Sequence, residues 1–529
     1  MGFFDKNVNV GAGKKVKRVE TALGRAATDI AGAINEYFYE PELRNPIPYI
    51  EKAVSDKLTY YGFYHDKDKN SEPFFLKEDE TTMEIYVGST GTGKGVLLGN
   101  KVLEAIKKRK GVIIIDPKTD GFLPQICLEE LTRQGRPDDF LVASWPYNFG
   151  YDGINESDDY IAVANKLIDA FNLEESDNKG VDYYRKLARI MLKRALKLFF
   201  SGELGVLVKK DLNDIAFHTI KLAEDLKKQE ELEKELSKNN PNYNKIEQLQ
   251  KRYFNTDLLL KHNWDNTAVE TLQSLAQNFE ELLGGATIYK GFDLSGALHK
   301  GKVIYFRVDM LDIASLKMVK LMINDAIQLA RANTADTIII ADELSFYANQ
   351  TIAGALATVR SMGLKFLLAL QDLAQMKDEN IRNAILSNCN VKLFYKISDK
   401  LTLEYVEKIG GKEYVTSYST SVSGQSNISQ KQEDYLNATK IRALPRQKVA
   451  IVIAEALPKP EIIQTNFVKT SRQFDWAKYF LPKKATLAEI DAKYQNDPNK
   501  INFETKAKEA KKLLENSDLL AITFETMPI

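Results

Sequence analysis

Three groups of residues in this chain have the types and spacings needed to handle a triphosphate. The first is Gly88-Ser89-Thr90-Gly91-Thr92-Gly93-Lys94-Gly95, which fits G-x-x-x-x-G-K. Glycines at that spacing let backbone N–H groups turn inward around a phosphate, and the lysine reaches the β- and γ-phosphates. A helix starting there adds the positive end of its dipole. The whole loop is therefore a candidate nucleotide contact. The Ser or Thr that usually follows the lysine and ligates Mg²⁺ is Gly95 here. The hydroxyl of Thr92 or Thr90, or a water, is expected at that metal position.

The second group is Asp342-Glu343, which follows Thr337-Ile-Ile-Ile-Ala. A buried strand that ends in two carboxylates suits Mg²⁺ binding by Asp342, directly or through water. It also suits activation of the attacking water by Glu343 as general base. The third is Gln371, at the end of Leu367-Leu-Ala-Leu370, where a sensor of the γ-phosphate would sit. A plain turn glutamine is the other reading. Asp116, in Asp116-Pro117-Lys118, follows a further apolar run. Polar residues at such strand ends line the ligand crevice of open α/β sheets, and a simple turn is the competing reading. Arg360, with Arg382 as a second candidate, is an arginine that would act on the phosphoryl group across a subunit boundary. The expected ligands are ATP and Mg²⁺.

These residues need a parallel sheet to bring them together. Residues 83–87, 111–115, 139–143, 302–307, 337–341, 365–370, 391–395 and 448–454 read as strands, the last of these as the final one. Continuous β-branched runs such as 111–115 mark strands covered on both faces. Residues 96–109 and 313–331 read as helices, and 161–283 shows almost only helical patterns, including 183–200 and 211–235. Residues 227–252 are dense in Lys, Glu and Gln around a break at Asn239-Asn240-Pro241, which suits an exposed helical hairpin. The fold class is α/β, with a parallel sheet interrupted by a helical insertion. Residues 1–80 show no strong period, although 19–38 has some helical character beside the basic cluster Lys14, Lys15, Lys17 and Arg18.

With 529 residues the chain exceeds one ordinary domain, and 44% hydrophobic with 28% charged residues excludes general disorder. Lys+Arg and Asp+Glu are both 73, so overall charge does not mark a nucleic-acid binder, although a ring can keep its positive charge in a channel. Cys127 and Cys389 stand far apart and read as buried thiols. His65, His218, His262 and His299 lack metal spacing. No signal-peptide core and no run of about 18 apolar residues occurs.

The order of the motifs resembles one family. A loop ending Gly93-Lys94-Gly95 is followed by Ile-Ile-Asp116-Pro-Lys118, a helical insertion, and Ile-Ala-Asp342-Glu343. Then come Arg360-Ser-Met-Gly-Leu-Lys-Phe-Leu-Leu-Ala-Leu-Gln371 and Ile385-Leu-Ser-Asn-Cys-Asn-Val-Lys392. Over roughly residues 80–460 this is similar to the type IV secretion coupling proteins, the TraG/TraD-like ATPases of the FtsK/HerA superfamily. The resemblance implies a RecA-like P-loop ATPase domain at 81–149 and 297–470 and an inserted all-α domain at 150–296. It leaves an N-terminal arm at 1–80, without a transmembrane segment, and a helical C-terminal tail at 471–529. It further implies a homo-hexamer with nucleotide between subunits and sequence-independent DNA binding. Delivery of a relaxase–DNA complex or a protein effector to the components of a type IV secretion channel would follow. The expected location is cytoplasmic, or peripheral at the inner membrane through a partner. The alternatives are a DNA translocase or packaging motor of the same superfamily, and a cargo-binding adaptor on a P-loop platform.

Overall fold

Strands buried on both faces must send alternate side chains into two separate cores, and the central runs do so. In the computed structural model, Ile113 and Ile115 enter one apolar cluster while Val112 and Ile114 enter the other. Phe366, Leu368 and Leu370 divide from Leu367 and Ala369 in the same way.

The structure describes residues 45–65, 72–118, 120–144, 150–175, 179–202, 208–239, 266–283, 292–332, 336–420, 426–453 and 456–479. They lie in the second of the chain's two units, Asn45–Ile529. In chain order, α1 (Ile47–Ser55) leads into β1 (Leu58–Tyr64) and β2 (Pro73–Lys77). Next are β3 (Met83–Val87), α2 (Lys94–Lys107), β4 (Gly111–Asp116), α3 (Phe122–Arg133) and β5 (Phe140–Ser144). Helices α4 (Tyr160–Ala170), α5 (Lys179–Ser201), α6 (Leu212–Asn239), α7 (Asn266–Leu283) and α8 (Leu294–His299) precede β6 (Val303–Arg307). Then come α9 (Ile313–Arg331), β7 (Thr337–Ala341), α10 (Gln350–Thr358), β8 (Leu364–Leu370), α11 (Glu379–Asn388), β9 (Val391–Phe394) and α12 (Lys400–Gly410). A hairpin, β10 (Lys412–Thr420) and β11 (Ser426–Asp434), is followed by α13 (Ala438–Arg442), β12 (Lys448–Val452) and β13 (Glu461–Gln464).

The main sheet has the order β2-β1-β13-β12-β9-β3-β8-β7-β4-β6-β5. From β9 to β5 neighbouring strands are parallel. From β9 to β2 they are antiparallel. Three strands of the main sheet were not expected from the sequence. Residues 58–77, read as part of an arm reaching residue 80, form two strands of the sheet, and β12, expected to be last, is followed by β13. The two cases have different causes. Thr59 to Phe63 are all buried, so the segment shows no polar–apolar alternation, and β13 is only four residues long.

The helices between β5 and β6 pack together and onto α9. Lys166 on α4, fully buried, donates to Asp325 on α9 and to Asp158, each at 2.6 Å. Tyr151 and Asn155 also donate to Asp325, at 2.6 and 2.7 Å. Of the expected charged hairpin, residues 227–239 continue α6 and 240–252 lie outside the described residues. Residues 480–529 of the tail and 1–44 of the arm, with their expected helices, also lie outside. What is described of the tail is an aromatic anchor. Phe474 and Tyr479 pack on Phe140, with ring centroids 5.9 and 5.8 Å apart, and Trp476 packs on Tyr305 at 5.8 Å. Both cysteines are buried, and burial raises the Cys389 thiol to about 12.

Candidate active site

Four neighbouring strands, β3, β8, β7 and β4, end side by side. Their C-terminal ends carry Gly88, Gln371, Asp342 and Asp116 in that order, so residues up to 283 positions apart in sequence share one edge. A parallel sheet with helical connections is what makes this possible, and the edge is where ligands of such sheets bind.

The glycine loop leaves the sheet under tight steric control. Gly88 N donates to Leu370 O and Ser89 N to Lys396 O, both at 3.2 Å. A Cβ on Gly88 would lie 2.5 Å from Tyr395 Cβ, so glycine is required there. Gly93 has φ 120°, and a Cβ there would lie 2.9 Å from Gln447 Cα. Gln447, itself at φ 66°, donates its N–H to Thr92 O at 2.7 Å and accepts from Thr465 N at 2.8 Å. The turn before β12 thus clamps the back of the loop. Sequence reasoning missed Gln447, because these contacts use its backbone and no side-chain type marks them.

Lys94 opens α2 and is 5% exposed. Its ammonium donates to Gly88 O and lies 3.4 Å from Ser89 O. Burial lowers its pKa, against the pull of Asp342 and Glu343. The Thr92 hydroxyl donates to Ser89 O at 2.7 Å, which leaves only its lone pairs for a metal, and Thr90 is exposed. A Cβ on Gly95 would meet nothing within 4 Å, so space does not explain the missing hydroxyl.

Asp342 is fully buried and its carboxylate is paired with the Lys118 ammonium. The Tyr347 hydroxyl donates to Asp342 O at 2.6 Å and fixes the strand end from behind. Glu343 adopts φ 53°, a left-handed conformation that costs a non-glycine residue energy and is found at functional turns. This turn aims its carboxylate back at the edge. Gln371 Nε2 donates to Glu343 Oε1 at 3.1 Å, while Oε2 is buried with no hydrogen-bond partner among the described atoms. Asp116 is 1% exposed and lies behind Lys118. Its Oδ1 accepts from Lys118 N and its Oδ2 from the Tyr305 hydroxyl, both at 2.8 Å. Burial, and then the charge of Asp342, raise Asp116 to about 7. For Lys118, burial is outweighed by Asp342 and Asp116, which hold it above the ordinary lysine value.

These residues suit a magnesium nucleotide. Mg²⁺ takes oxygen ligands, usually one or two carboxylates together with phosphates and water, and needs no all-protein cage. Asp342 supplies such an oxygen at the edge beside the glycine loop. Arg360 lies on the turn Val359–Met362, and its side chain lies outside the described residues. Arg382 is held by its own surroundings, donating to Met376 O at 3.0 Å beside Glu379.

Comparison with known proteins gives a consistent result. Residues 337–446 match the family described as the TraM recognition site of TraD and TraG. The type 4 coupling protein DotL of Legionella pneumophila is 22% identical over 438 residues, which are 71% of this chain and 55% of that protein. The chain thus spans about half the length of the curated relative it matches. Among solved structures, the bacterial conjugative coupling protein TrwBdeltaN70 superposes with a TM-score of 0.54 at 16% identity, over 82% of this chain and 94% of that one. The plasmid coupling protein TrwB in complex with ADP and Mg²⁺ gives 0.51 at 15% identity, over 77% and 89%. The fold is the RecA-like P-loop ATPase fold of those solved coupling proteins, and residues 337–446 carry the match to the TraD and TraG family.

Proposed function

We propose that this chain hydrolyses ATP to recruit a DNA substrate, as a relaxase–DNA complex, or a protein effector, and to drive its transfer into a type IV secretion channel. The observation that carries this reading is the meeting of the glycine loop, Asp342-Glu343 and Gln371 on adjacent strand ends. Lys94 and the loop N–H groups hold the triphosphate. Glu343 takes the proton of the attacking water through the oxygen that has no partner, and Gln371 fixes the other oxygen and reports on the γ-phosphate. Mg²⁺ held by Asp342 would neutralise charge developing on the phosphates. The similar structures include TrwB bound to ADP with Mg²⁺, to a non-hydrolysable ATP analogue and to a non-hydrolysable GTP analogue, which supports a magnesium-nucleotide site.

The same reading assigns residues 81–149 and 297–470 to the ATPase domain, 150–296 to an inserted all-α recruitment domain and 471–529 to a tail. The working form is a homo-hexamer that completes each site across a subunit boundary with Arg360. No helix among the described residues is long and apolar enough to cross a membrane. The same reading has the chain meet the channel at the cytoplasmic side through a partner. DNA binding tests the substrate. Glu343→Gln in ATP is expected to bind single- or double-stranded DNA of unrelated sequences alike, with affinity falling steeply as salt rises. Failure to bind any DNA at low salt, with nucleotide bound normally, would move the proposal to protein cargo.

A further inference from the structure

Among the described residues, Asp342 forms one ion pair, and its partner is a side chain of this protein. Lys118 pairs with its carboxylate from the end of β4, across the β4–β7 boundary. The two partners differ in freedom. Asp342 is fixed, with 1% of its side chain exposed, whereas the Lys118 side chain is 35% exposed. The Lys118 backbone is anchored, since its N–H donates to Asp116 Oδ1 at 2.8 Å and Asp116 is held by Tyr305. The ammonium can therefore swing on a four-carbon stem while its root stays in place.

A buried carboxylate without a counter-charge is costly, so something cationic must accompany Asp342. A metal ion on this carboxylate would repel an ammonium held in contact with it, so the two cations compete for Asp342. We propose that Lys118 is a resident counter-cation of Asp342 that Mg²⁺ must displace, so that the lysine sets the Mg²⁺ concentration at which the nucleotide site loads. This rests on the reading of Asp342 as the metal carboxylate. Lys118 is a positioning residue here and takes no part in bond breaking. Its release also brings a positive charge to the nucleotide edge at the moment of loading, so one event exchanges the partner of Asp342 and adds a cation facing the phosphates.

The test uses the full chain with Lys118→Met, Lys118→Arg, Asp342→Asn and the Met/Asn double variant. In the first arm, thermal unfolding is followed in EDTA without nucleotide. Lys118→Met lowers the midpoint by several degrees, and the same change in the Asp342→Asn background lowers it much less. Equal losses in both backgrounds would overturn the pairing. In the second arm, binding of a fluorescent non-hydrolysable ATP analogue is titrated with Mg²⁺. Lys118→Met moves the half-point to roughly tenfold lower Mg²⁺, and Lys118→Arg restores the wild-type half-point. A half-point unchanged or raised in Lys118→Met would overturn the displacement. Absence of analogue binding by the wild type at any Mg²⁺ would sink the ATP-site reading and the displacement with it, while the EDTA arm still decides the pair.

Discussion

Glu343, Gln371 and Lys94 are the residues proposed to carry the chemistry. Glu343 and Gln371 were legible as polar residues ending apolar runs, and Lys94 as the lysine of a glycine-rich loop. Their partners were less legible. Nothing in Asp116-Pro117-Lys118 says that the lysine turns to a carboxylate 224 positions away, because pairing across strands is a property of sheet order. Lys101, beneath the same sheet on α2, shows the same limit. It reads as one more helix-face lysine, yet it is 4% exposed. Its ammonium lies 3.1 Å above the Tyr61 ring and 3.9 Å from Glu84 Oε1, with no hydrogen-bond acceptor among the described atoms. Burial brings its pKa from 10.5 down to about 8, against the pull of Glu84 and Glu104. The unfolded chain therefore binds more protons than the folded one between those values, and stability contributed by this site rises with pH from about 8 to 10.5. Below about pH 8 the penalty is complete. Lys101→Met removes that rise, so the stability difference between variant and wild type should change by about 3 kcal/mol across the window. Urea unfolding at a series of alkaline pH values checks it, and a constant difference would contradict the burial argument.

At the scale of elements, the central strands were readable because burial on both faces makes them continuously apolar, a pattern that only the interior of a covered sheet requires. The antiparallel edge was not. Leu58–Tyr64 is aromatic at four of its seven positions, Tyr60, Tyr61, Phe63 and Tyr64, and its bulge at Tyr60/Gly62 breaks any simple period. The hairpin β10–β11 is polar along both strands and pairs only with itself among the described residues, so no core pattern announced it. The joint between α4 and α9 gives the sharpest energetic test at this scale. Asp325 is fully buried, and burial raises its pKa even with Lys166 beside it. Lys166→Met leaves that carboxylate without its cation and should cost about 3–5 kcal/mol in denaturant unfolding. The pair replaced together, Lys166→Met with Asp325→Leu, should recover most of the loss, because well-packed apolar residues can replace a buried ion pair. A double variant no better than the single one would show that the joint depends on the wider network of Tyr151 and Asn155.

For the whole molecule, the insertion of helices between β5 and β6 adds a helical layer to the sheet. The sheet edge carries the candidate nucleotide site, while the buried side chains of α4 to α7 join the core on one face of the sheet, with α9 between them. That layer follows from the switch of periodicity in the sequence, which is why the insertion was visible before the sheet order was. What the chain grips, and how copies assemble, depends on surfaces between molecules, and those leave no periodic trace in one sequence. The central claim is that ATP turnover is coupled to a nucleic-acid substrate in an assembly. The measurement is ATP hydrolysis by the full chain over a range of protein concentrations, with and without single- and double-stranded DNA, beside Lys94→Ala, Glu343→Gln and Gln371→Ala. The account predicts that the specific rate rises with protein concentration and again with DNA. Lys94→Ala and Glu343→Gln should abolish it, and Gln371→Ala should lower it by about 10- to 100-fold while nucleotide affinity changes little. A rate in wild type that is indifferent to both concentration and DNA, or that survives in Glu343→Gln, would contradict it.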